Sequence, residues 1–313
     1  MDIRDSICDT IGRTPIVRIR KLFRKRGVEI LAKLEGANPM GSVKDRIAVW
    51  MLKKGIAKGE IRPGMTLVES SSGNTGIGLA MAGAALGYPV LITMSKKASV
   101  ERRQMLAAMG AEVVLVDGGS DDAWDKADEI AASHRKRYFR IHQYKSPYNA
   151  QCHYETTGPE IWEQTGGRVD AVVITIGTTG TLVGAGRFLK EKNPKLKIVT
   201  VEPTAVNTQQ GLRNLKTQRV PEIFDASLID YRWETADEEA YTLARRLARE
   251  EGIFAGISSG SCLAGAIRYA GQIAKGEIVA VLPDRGEKYL STPLYRRSGE
   301  GRHGRRGGSK PRR

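Results

Sequence analysis

Cysteine and histidine are scarce in this chain of 313 residues. The three cysteines, Cys8, Cys152 and Cys262, are odd in number and widely spaced, which excludes a disulfide framework and a C-x-x-C site. The four histidines form no H-x-x-x-H pattern and no cluster with cysteine, so we expect no metal centre. Unpaired cysteines are typical of reducing compartments, and we predict a cytoplasmic protein.

Long apolar runs are also missing. No run reaches the roughly 20 residues that a membrane-spanning helix needs. The first ten residues, MDIRDSICDT, lack the apolar segment of a secretory signal. We therefore expect no contact with a membrane, and the hydrophobic content of 41% is typical of a globular protein.

Acidic residues are outnumbered by basic ones, 35 to 50, which makes the formal net charge +15. The last 18 residues, 296–313, hold eight Lys and Arg and one Glu, and contribute +7 of that charge. A Gly/Arg-rich segment cannot bury a core, so we predict that this tail is disordered. It is suited to contact nucleic acid or an acidic partner; the alternative is a solvated tail without a role in catalysis.

Apolar, β-branched runs alternate with segments of helical period along the chain. The runs lie at 28–34, 65–70, 89–94, 111–116, 169–177, 197–203 and 277–283; helices are predicted from about residues 44, 76, 99 and 181, and near 149–164, 237–251 and 261–274. Strands that are apolar throughout and separated by helices indicate parallel sheets covered on both faces. The fold class is therefore α/β, with two open parallel-sheet halves that meet near residues 143–150. Such sheets bind ligands at the carboxyl ends of their strands.

The loop GTTGT follows one predicted strand and comprises Gly177, Thr178, Thr179, Gly180 and Thr181. Backbone N–H groups, hydroxyls and the positive end of a helix dipole converge there, which favours an anion, best matched to a phosphate. It matches neither G-x-x-x-x-G-K-[ST] nor G-x-G-x-x-G. The alternative is a tight glycine turn that only packs the helix on the sheet.

Two further loops carry surplus hydroxyl groups. SSSGNTG, at 70–76, contains more hydrogen-bonding side chains than a helix cap requires, which suits a carboxylate or phenolate ligand. GISSG, which contains Ser258, precedes a helix of small residues. For Ser258 ordinary capping is an equal alternative.

Lys44, in NPMGSVKDR, is predicted in the first turn of a helix, where the dipole has the wrong sign for a cation. Such a placement lowers the pKa of a lysine, as a Schiff-base amine requires. The structural alternative is a solvated lysine at a helix start.

These loops together resemble the fold type II pyridoxal-phosphate enzymes of the cysteine synthase and cystathionine β-synthase family. The resemblance spans about residues 7–295 and rests on IGRTPIVRI, GSVKDR, SGNTGIGLA, TTGPEIW, GTTGT, EEGIFAGISSG and RGEKYLST. GTTGT in place of GTGGT and the segment DRGEKYLST are most similar to the cysteine synthase B branch. The resemblance implies a tryptophan synthase β-like fold with the cofactor between a smaller, mobile domain (40–145) and a larger domain (1–39 and 146–295). It also implies a homodimer.

The resemblance assigns roles to individual residues. Lys44 would bind pyridoxal 5′-phosphate as a Schiff base and act as general base, Asn74 would contact the ring oxygen, and Ser258 would face the pyridine nitrogen. The phosphate would lie on Gly177, Thr178, Thr179, Gly180 and Thr181, and the substrate carboxylate on Ser71, Ser72 and Thr75 with Gln143. Arg213, in GLRNL, resembles the arginine that branch members using O-phosphoserine direct at the substrate phosphate; its alternative is a surface arginine in a mobile loop.

The implied reaction is β-replacement, in which an O-activated L-serine, O-acetylserine or O-phosphoserine, loses its leaving group. The resulting α-aminoacrylate takes up sulfur from sulfide or a thiocarboxylate carrier and becomes L-cysteine. A neutral serine at the ring nitrogen favours this elimination over transamination. Alternatives are a cystathionine β-synthase using serine and homocysteine, a catalytically silent binding protein of this fold, and a nicotinamide-binding enzyme, against which the missing G-x-G-x-x-G counts.

Overall fold

Two β-sheets organise the chain in a computed structural model that describes residues 3–71 and 73–295. Within these residues the strands are β1 (Ile16–Arg18), β2 (Val28–Leu34), β3 (Thr66–Ser70), β4 (Val90–Ser95), β5 (Glu112–Val116), β6 (Tyr138–Arg140), β7 (Val169–Thr175), β8 (Lys197–Pro203), β9 (Tyr231–Thr235) and β10 (Gly276–Leu282). The predicted tail, 296–313, and Ser72 lie outside the described residues.

Helices cover the sheets. They are α1 (Lys44–Ala57), α2 (Asn74–Leu86), α3 (Val100–Ala108), α4 (Ser120–Ser133), α5 (Pro147–Glu155), α6 (Thr157–Gln164), α7 (Gly180–Lys192), α8 (Asp237–Arg246) and α9 (Ile257–Gln272). A π-helical turn, Leu247–Glu251, continues α8. Short 3₁₀ turns lie at Ile7–Thr10, Glu35–Ala37, Ala226–Leu228 and Gly286–Tyr289. In the described part of the chain, no helix is long and apolar enough to cross a membrane.

The larger sheet has the strand order β1-β2-β10-β7-β8-β9, and the smaller one β5-β4-β3-β6. All neighbouring strands run parallel except β1, which pairs antiparallel with β2 at the edge of the larger sheet. The non-sequential order follows from the helical crossovers that parallel pairing requires. The predicted α/β class with two open parallel sheets is confirmed.

The sequence patterns located seven of the ten described strands but missed β1, β6, β9 and α4. β1 and β6 have only three residues, and β9, with the sequence YRWET, is interrupted by charged residues, so the apolar runs that marked the other strands are absent. The single helix predicted near 149–164 is wrong: α5 and α6 are separate helices. Their break is at Thr156, whose φ of −126° and ψ of −68° are not helical.

The buried apolar residues form separate cores on the two sheets. One core lies between the larger sheet and α9, and another packs α7 on the opposite face of that sheet. The core around α1 and α2 covers the smaller sheet, and it also contains Cys8 and Cys152. The smaller half is therefore packed against segments outside the predicted range 40–145.

Candidate active site

A cleft lies where the carboxyl ends of β3, β7 and β10 approach one another, as expected for open parallel sheets. The predicted site residues that line it are Lys44, Ser71, Asn74, Thr75, Gln143, Gly177, Thr178, Thr181 and Ser258. Thr179 and Gly180 belong to the same turn without lining the cleft. The structure thus brings together residues from five separate segments of the chain.

Lys44 is the first residue of α1, and its backbone N–H donates to Ser42 Oγ at 3.2 Å. Burial lowers the pKa of the Lys44 amine to about 8, although the nearby Asp284 and Glu35 carboxylates act in the opposite direction. The direction is as the sequence predicted. The largest cause, however, is loss of solvent around the amine, whereas the sequence argument invoked the helix dipole.

Asp284, two residues beyond β10, is a site residue that the sequence reasoning missed. Its Oδ2 accepts hydrogen bonds from Asn74 Nδ2 and from the Tyr289 hydroxyl, both at 2.7 Å. The carboxylate is buried beside Lys44 and holds the Asn74 amide in the cleft. Its position just after a buried strand was the available signal, because the same rule selected the other loops.

The GTTGT turn is held by buried polar side chains. Thr178 Oγ1 accepts from Asn149 Nδ2 at 3.1 Å, and a Cβ added at Gly180 would overlap Asn149 Oδ1. Thr179 adopts a left-handed φ of 67°, which turns the backbone into α7. This conformation places the first N–H groups of α7 at the cleft, as a phosphate site requires.

His153 supports the same turn from α5 and was also missed. Its Nε2 lies 3.3 Å from Thr181 Oγ1, and its Nδ1 lies 2.8 Å from Thr157 Oγ1. Burial, together with the Arg46 and Lys44 cations, lowers the pKa of His153 to about 3. The imidazole is therefore neutral and links two hydroxyls without adding charge near the anion site.

The SSSGNTG segment leads from the end of β3 into the first turn of α2. Ser71 Oγ accepts from the N–H groups of Gly73 and Gly76, at 3.1 and 3.0 Å, so it caps the helix as well as lining the cleft. Thr75 Oγ1 donates to Gln143 Oε1 at 2.7 Å, which joins the two residues predicted to bind the substrate carboxylate. Gln143 Nε2 in turn donates to Ser70 O at 2.7 Å.

Gly73 shows why this loop needs glycine. Its φ of 149° is strained for other residues, and a Cβ there would overlap the side chain of Arg102. Arg102 is buried, lies 4.6 Å over the Tyr289 ring and donates a hydrogen bond to Gln210. Arg102 therefore closes the side of the cleft between the two sheets.

Arg213 lies beside the cleft and does not line it. It is 3% exposed, so the alternative of a surface arginine is wrong. Its Nη1 donates to Asp121 Oδ1 at 3.1 Å, and its guanidinium lies 4.5 Å over the Tyr144 ring. Its Nε is buried without a hydrogen-bond partner in the described residues, so the guanidinium keeps a donor for a phosphate while Nη1 contacts Asp121.

The model of the family described as "Pyridoxal-phosphate dependent enzyme" matches residues 7–284. The chain belongs to this family. Its cofactor is accordingly pyridoxal phosphate, and the alternative of a nicotinamide-binding enzyme is wrong.

Similar proteins refine the placement within the pyridoxal-phosphate family. Cysteine synthase B of Pseudomonas aeruginosa is 42% identical over 292 residues, which are 93% of this chain and 97% of that protein. A crystal structure of O-ureido-L-serine synthase superposes with a TM-score of 0.89 at 41% identity, covering 96% and 97% of the two chains. Cysteine synthase of Entamoeba histolytica has a TM-score of 0.89 at 37% identity, covering 96% and 93%. The chain lies in the cysteine synthase B branch.

The described residues fit pyridoxal phosphate. Buried polar atoms without a protein partner in residues 3–71 and 73–295 include Asn74 Oδ1, Thr179 Oγ1, Ser259 Oγ and Asp284 Oδ1, all on the loops that form the cleft. Such atoms are rare in folded proteins, and here they are available to hydrogen-bond a bound cofactor. In the same residues, no group of three or more His, Cys, Asp or Glu is placed to hold a metal ion.

Proposed function

We propose that the chain makes L-cysteine from an O-activated L-serine, O-acetylserine or O-phosphoserine, and a sulfur donor by β-replacement. The observation that carries this proposal is Lys44: an amine with a pKa lowered to about 8 lies in a cleft lined by hydroxyl and amide side chains. The similarity to cysteine synthase B over nearly the whole chain supports the same reaction.

Four elements would hold the cofactor. The Lys44 amine would bind its aldehyde carbon, Asn74 its ring oxygen and Ser258, in the first turn of α9, its ring nitrogen. The turn formed by Gly177, Thr178, Thr179, Gly180 and Thr181 would bind its phosphate. Bound pyridoxal phosphate withdraws electrons from the amino acid, which acidifies the Cα–H bond and lets the substituent on Cβ depart.

Lys44 would move the proton in this reaction once the amino group of the substrate has taken its place at the cofactor aldehyde carbon. An amine with a pKa near 8 is partly neutral around neutral pH, so its Nζ can accept the proton from Cα. The Cβ–O bond breaks and releases acetate or phosphate, and the sulfur nucleophile then forms the Cβ–S bond. Lys44 Nζ would finally return the proton to Cα, and the lysine would take its original place again when the amino group of cysteine leaves.

The α2 loop would bind and orient the substrate carboxylate. Ser71, Ser72 and Thr75 would supply hydroxyls and N–H groups, and Gln143, held by Thr75 and Ser70, would add an amide. Arg213 would contact the phosphate of O-phosphoserine from the neighbouring cavity. A guanidinium suits a phosphate dianion because its donors match two phosphate oxygens.

The assembly and motion of the enzyme are part of the proposal. Residues 40–145 would form a smaller domain that closes on a larger domain of residues 1–39 and 146–295, excluding water from the cleft. The protein would act as a homodimer in the cytoplasm, where the thiols of Cys8, Cys152 and Cys262, free in the structure, stay reduced. The basic tail would contact nucleic acid or an acidic partner. Small-angle scattering with and without substrate tests whether the smaller domain closes on the larger one. Analytical ultracentrifugation tests whether the protein is a dimer.

A spectral titration of the loaded enzyme with O-acetylserine, O-phosphoserine and serine tests the reaction. We expect an activated serine to shift the absorbance of the bound cofactor and added sulfide to restore it while cysteine appears. Steady-state rates then separate the alternatives: faster turnover of serine with homocysteine would show a cystathionine β-synthase. A protein without cofactor absorbance would be a silent member of the fold.

A further inference from the structure

A second cavity, which we call the vestibule, opens beside the cofactor cleft. It has a volume of about 780 Å³ and lies between α3, the loop before α4 and the segment 207–213. Ser71, Tyr144, Gln210, Gly211 and Leu212 line both spaces. The two spaces therefore adjoin, and a molecule in the vestibule lies next to the cleft.

The charged side chains that line the vestibule, among the described residues, are all basic. Lys97, Arg103 and Arg213 line it, and none of the described residues that line it is Asp or Glu. Arg213 is paired with Asp121. The Lys97 ammonium and the Arg103 guanidinium form no hydrogen bond or ion pair with any residue in 3–71 or 73–295.

Arg103 is the stronger indication of a ligand. It is half-buried on α3, and its Nε is buried without a hydrogen-bond acceptor in the described chain. A buried guanidinium N–H is normally paired, because desolvation without a partner is unfavourable. An oxyanion supplies the acceptors that this geometry lacks.

Two carboxylates contact residues that line the vestibule. Glu101, on the same helix, accepts from the Ser291 N–H and hydroxyl at 2.7 and 2.8 Å. Asp237 accepts from the Thr208 N–H and hydroxyl at 2.8 and 2.6 Å. Neither carboxylate forms an ion pair or hydrogen bond with Arg103 or Lys97 in the described residues, so these two cations are not balanced by an ion pair.

We propose that Arg103 and Lys97 form an oxyanion-binding site that draws one reactant into the cleft. The ligand is a tetrahedral oxyanion group: either the phosphate of an O-activated serine or the oxyanion end of a sulfur donor such as thiosulfate. The choice of reactants rests on the proposed function, whereas the site itself rests on the unpaired cations.

Calorimetric titration of the loaded enzyme with inorganic phosphate, and separately with thiosulfate, tests the site, because the cofactor then fills its own phosphate position. We expect Arg103→Gln to weaken binding about tenfold and Lys97→Gln, whose side chain is more exposed, somewhat less. Arg135→Gln is the matched control: it removes the same charge from an exposed position just before β6, at the opposite edge of the smaller sheet. The proposal would be overturned if Arg103→Gln and Lys97→Gln both bound phosphate and thiosulfate as tightly as Arg135→Gln does.

Steady-state kinetics identify the source of the oxyanion. With sulfide as donor, the KM values of Arg103→Gln for O-phosphoserine and O-acetylserine are compared with those of the wild type. A larger rise in KM for O-phosphoserine assigns the site to the substrate phosphate. A rise in KM for thiosulfate, with O-acetylserine as substrate, assigns it to the sulfur donor. Anion binding is measured without turnover, so the two proposals can fail separately. If the wild type makes no cysteine but Arg103→Gln still weakens anion binding, the proposed function is refuted and the oxyanion site is retained.

Discussion

The cleft and the vestibule differ in how their positive charges are balanced. In the cleft, Lys44 lies near Asp284 and Glu35, and burial still lowers the pKa of its amine to about 8. In the vestibule, Lys97 and Arg103 face no carboxylate among the described lining residues. A group that must release and accept a proton needs a pKa near the working pH, whereas a group that only binds an anion needs a charge that persists.

Replacing Lys44 should have the largest effect. Lys44→Ala removes the amine that binds the cofactor and moves the proton, so we expect turnover to fall by about 10³-fold or more. The absorbance of the lysine-bound cofactor should be lost as well. Lys53→Ala, an exposed lysine on the same helix, is the control and should retain both properties. An unchanged spectrum in Lys44→Ala would remove Lys44 from the cofactor site.

The lowered pKa of Lys44 should make the stability of the cofactor-free protein depend on pH. Below about pH 8 the amine is charged in both states, so the folded protein bears the whole desolvation penalty, up to about 3 kcal/mol. Between about pH 8 and 10.5 the folded amine loses its proton first, and this penalty disappears as the pH rises.

Denaturant unfolding of Lys44→Met measures that penalty. The variant should exceed the wild type in stability most strongly below about pH 8, and the pH-dependent part of the difference should vanish above about pH 10.5. Lys53→Met is the control and should follow the wild-type curve. A constant difference across this range would show that Lys44 is not desolvated.

Arg213 lies at the boundary between the two regions, and its replacement should distinguish substrates. We expect Arg213→Ala to lower kcat/KM for O-phosphoserine by about 10- to 100-fold more than for O-acetylserine, because only the former has a phosphate. Arg219→Ala, which removes a more exposed arginine paired with Asp125, is the matched control. Equal losses for both substrates would leave Arg213 with a structural role.

The smallest effect should come from Asp284→Asn, which removes one of the charges that raise the pKa of Lys44. We expect that pKa to fall further below about 8, by up to about one unit. The pH dependence of cofactor uptake by the cofactor-free protein reports this change. Glu287→Gln, which removes a carboxylate of the same segment that is paired with Arg285, should leave the pH dependence of cofactor uptake unchanged. A pKa that rises in Asp284→Asn would contradict the charge balance described for the cleft.

Several site residues could be found from the sequence because each stands in a loop after a buried strand. Asn74 and Thr178 are of this kind and line the cleft, whereas Ser258, which also lines it, comes after α8 and its π-helical turn, in the first turn of α9. Asp284 stands in the same kind of position, but its partner Asn74 is 210 residues away along the chain. His153 acts through Thr181, on another helix. Such contacts leave no local pattern, so the sequence alone does not indicate them.

The sequence by itself determined the positions of seven strands along the chain, the α/β class and several of the loops that meet at the strand ends. These features follow from local periodicity and from the rule that parallel strands end at one edge. Tertiary structure decided the antiparallel pairing of β1, the cause of the pKa shift at Lys44 and the unpaired state of Arg103. Strand pairing, desolvation and charge balance depend on which distant groups come together in space, and only the folded chain settles that.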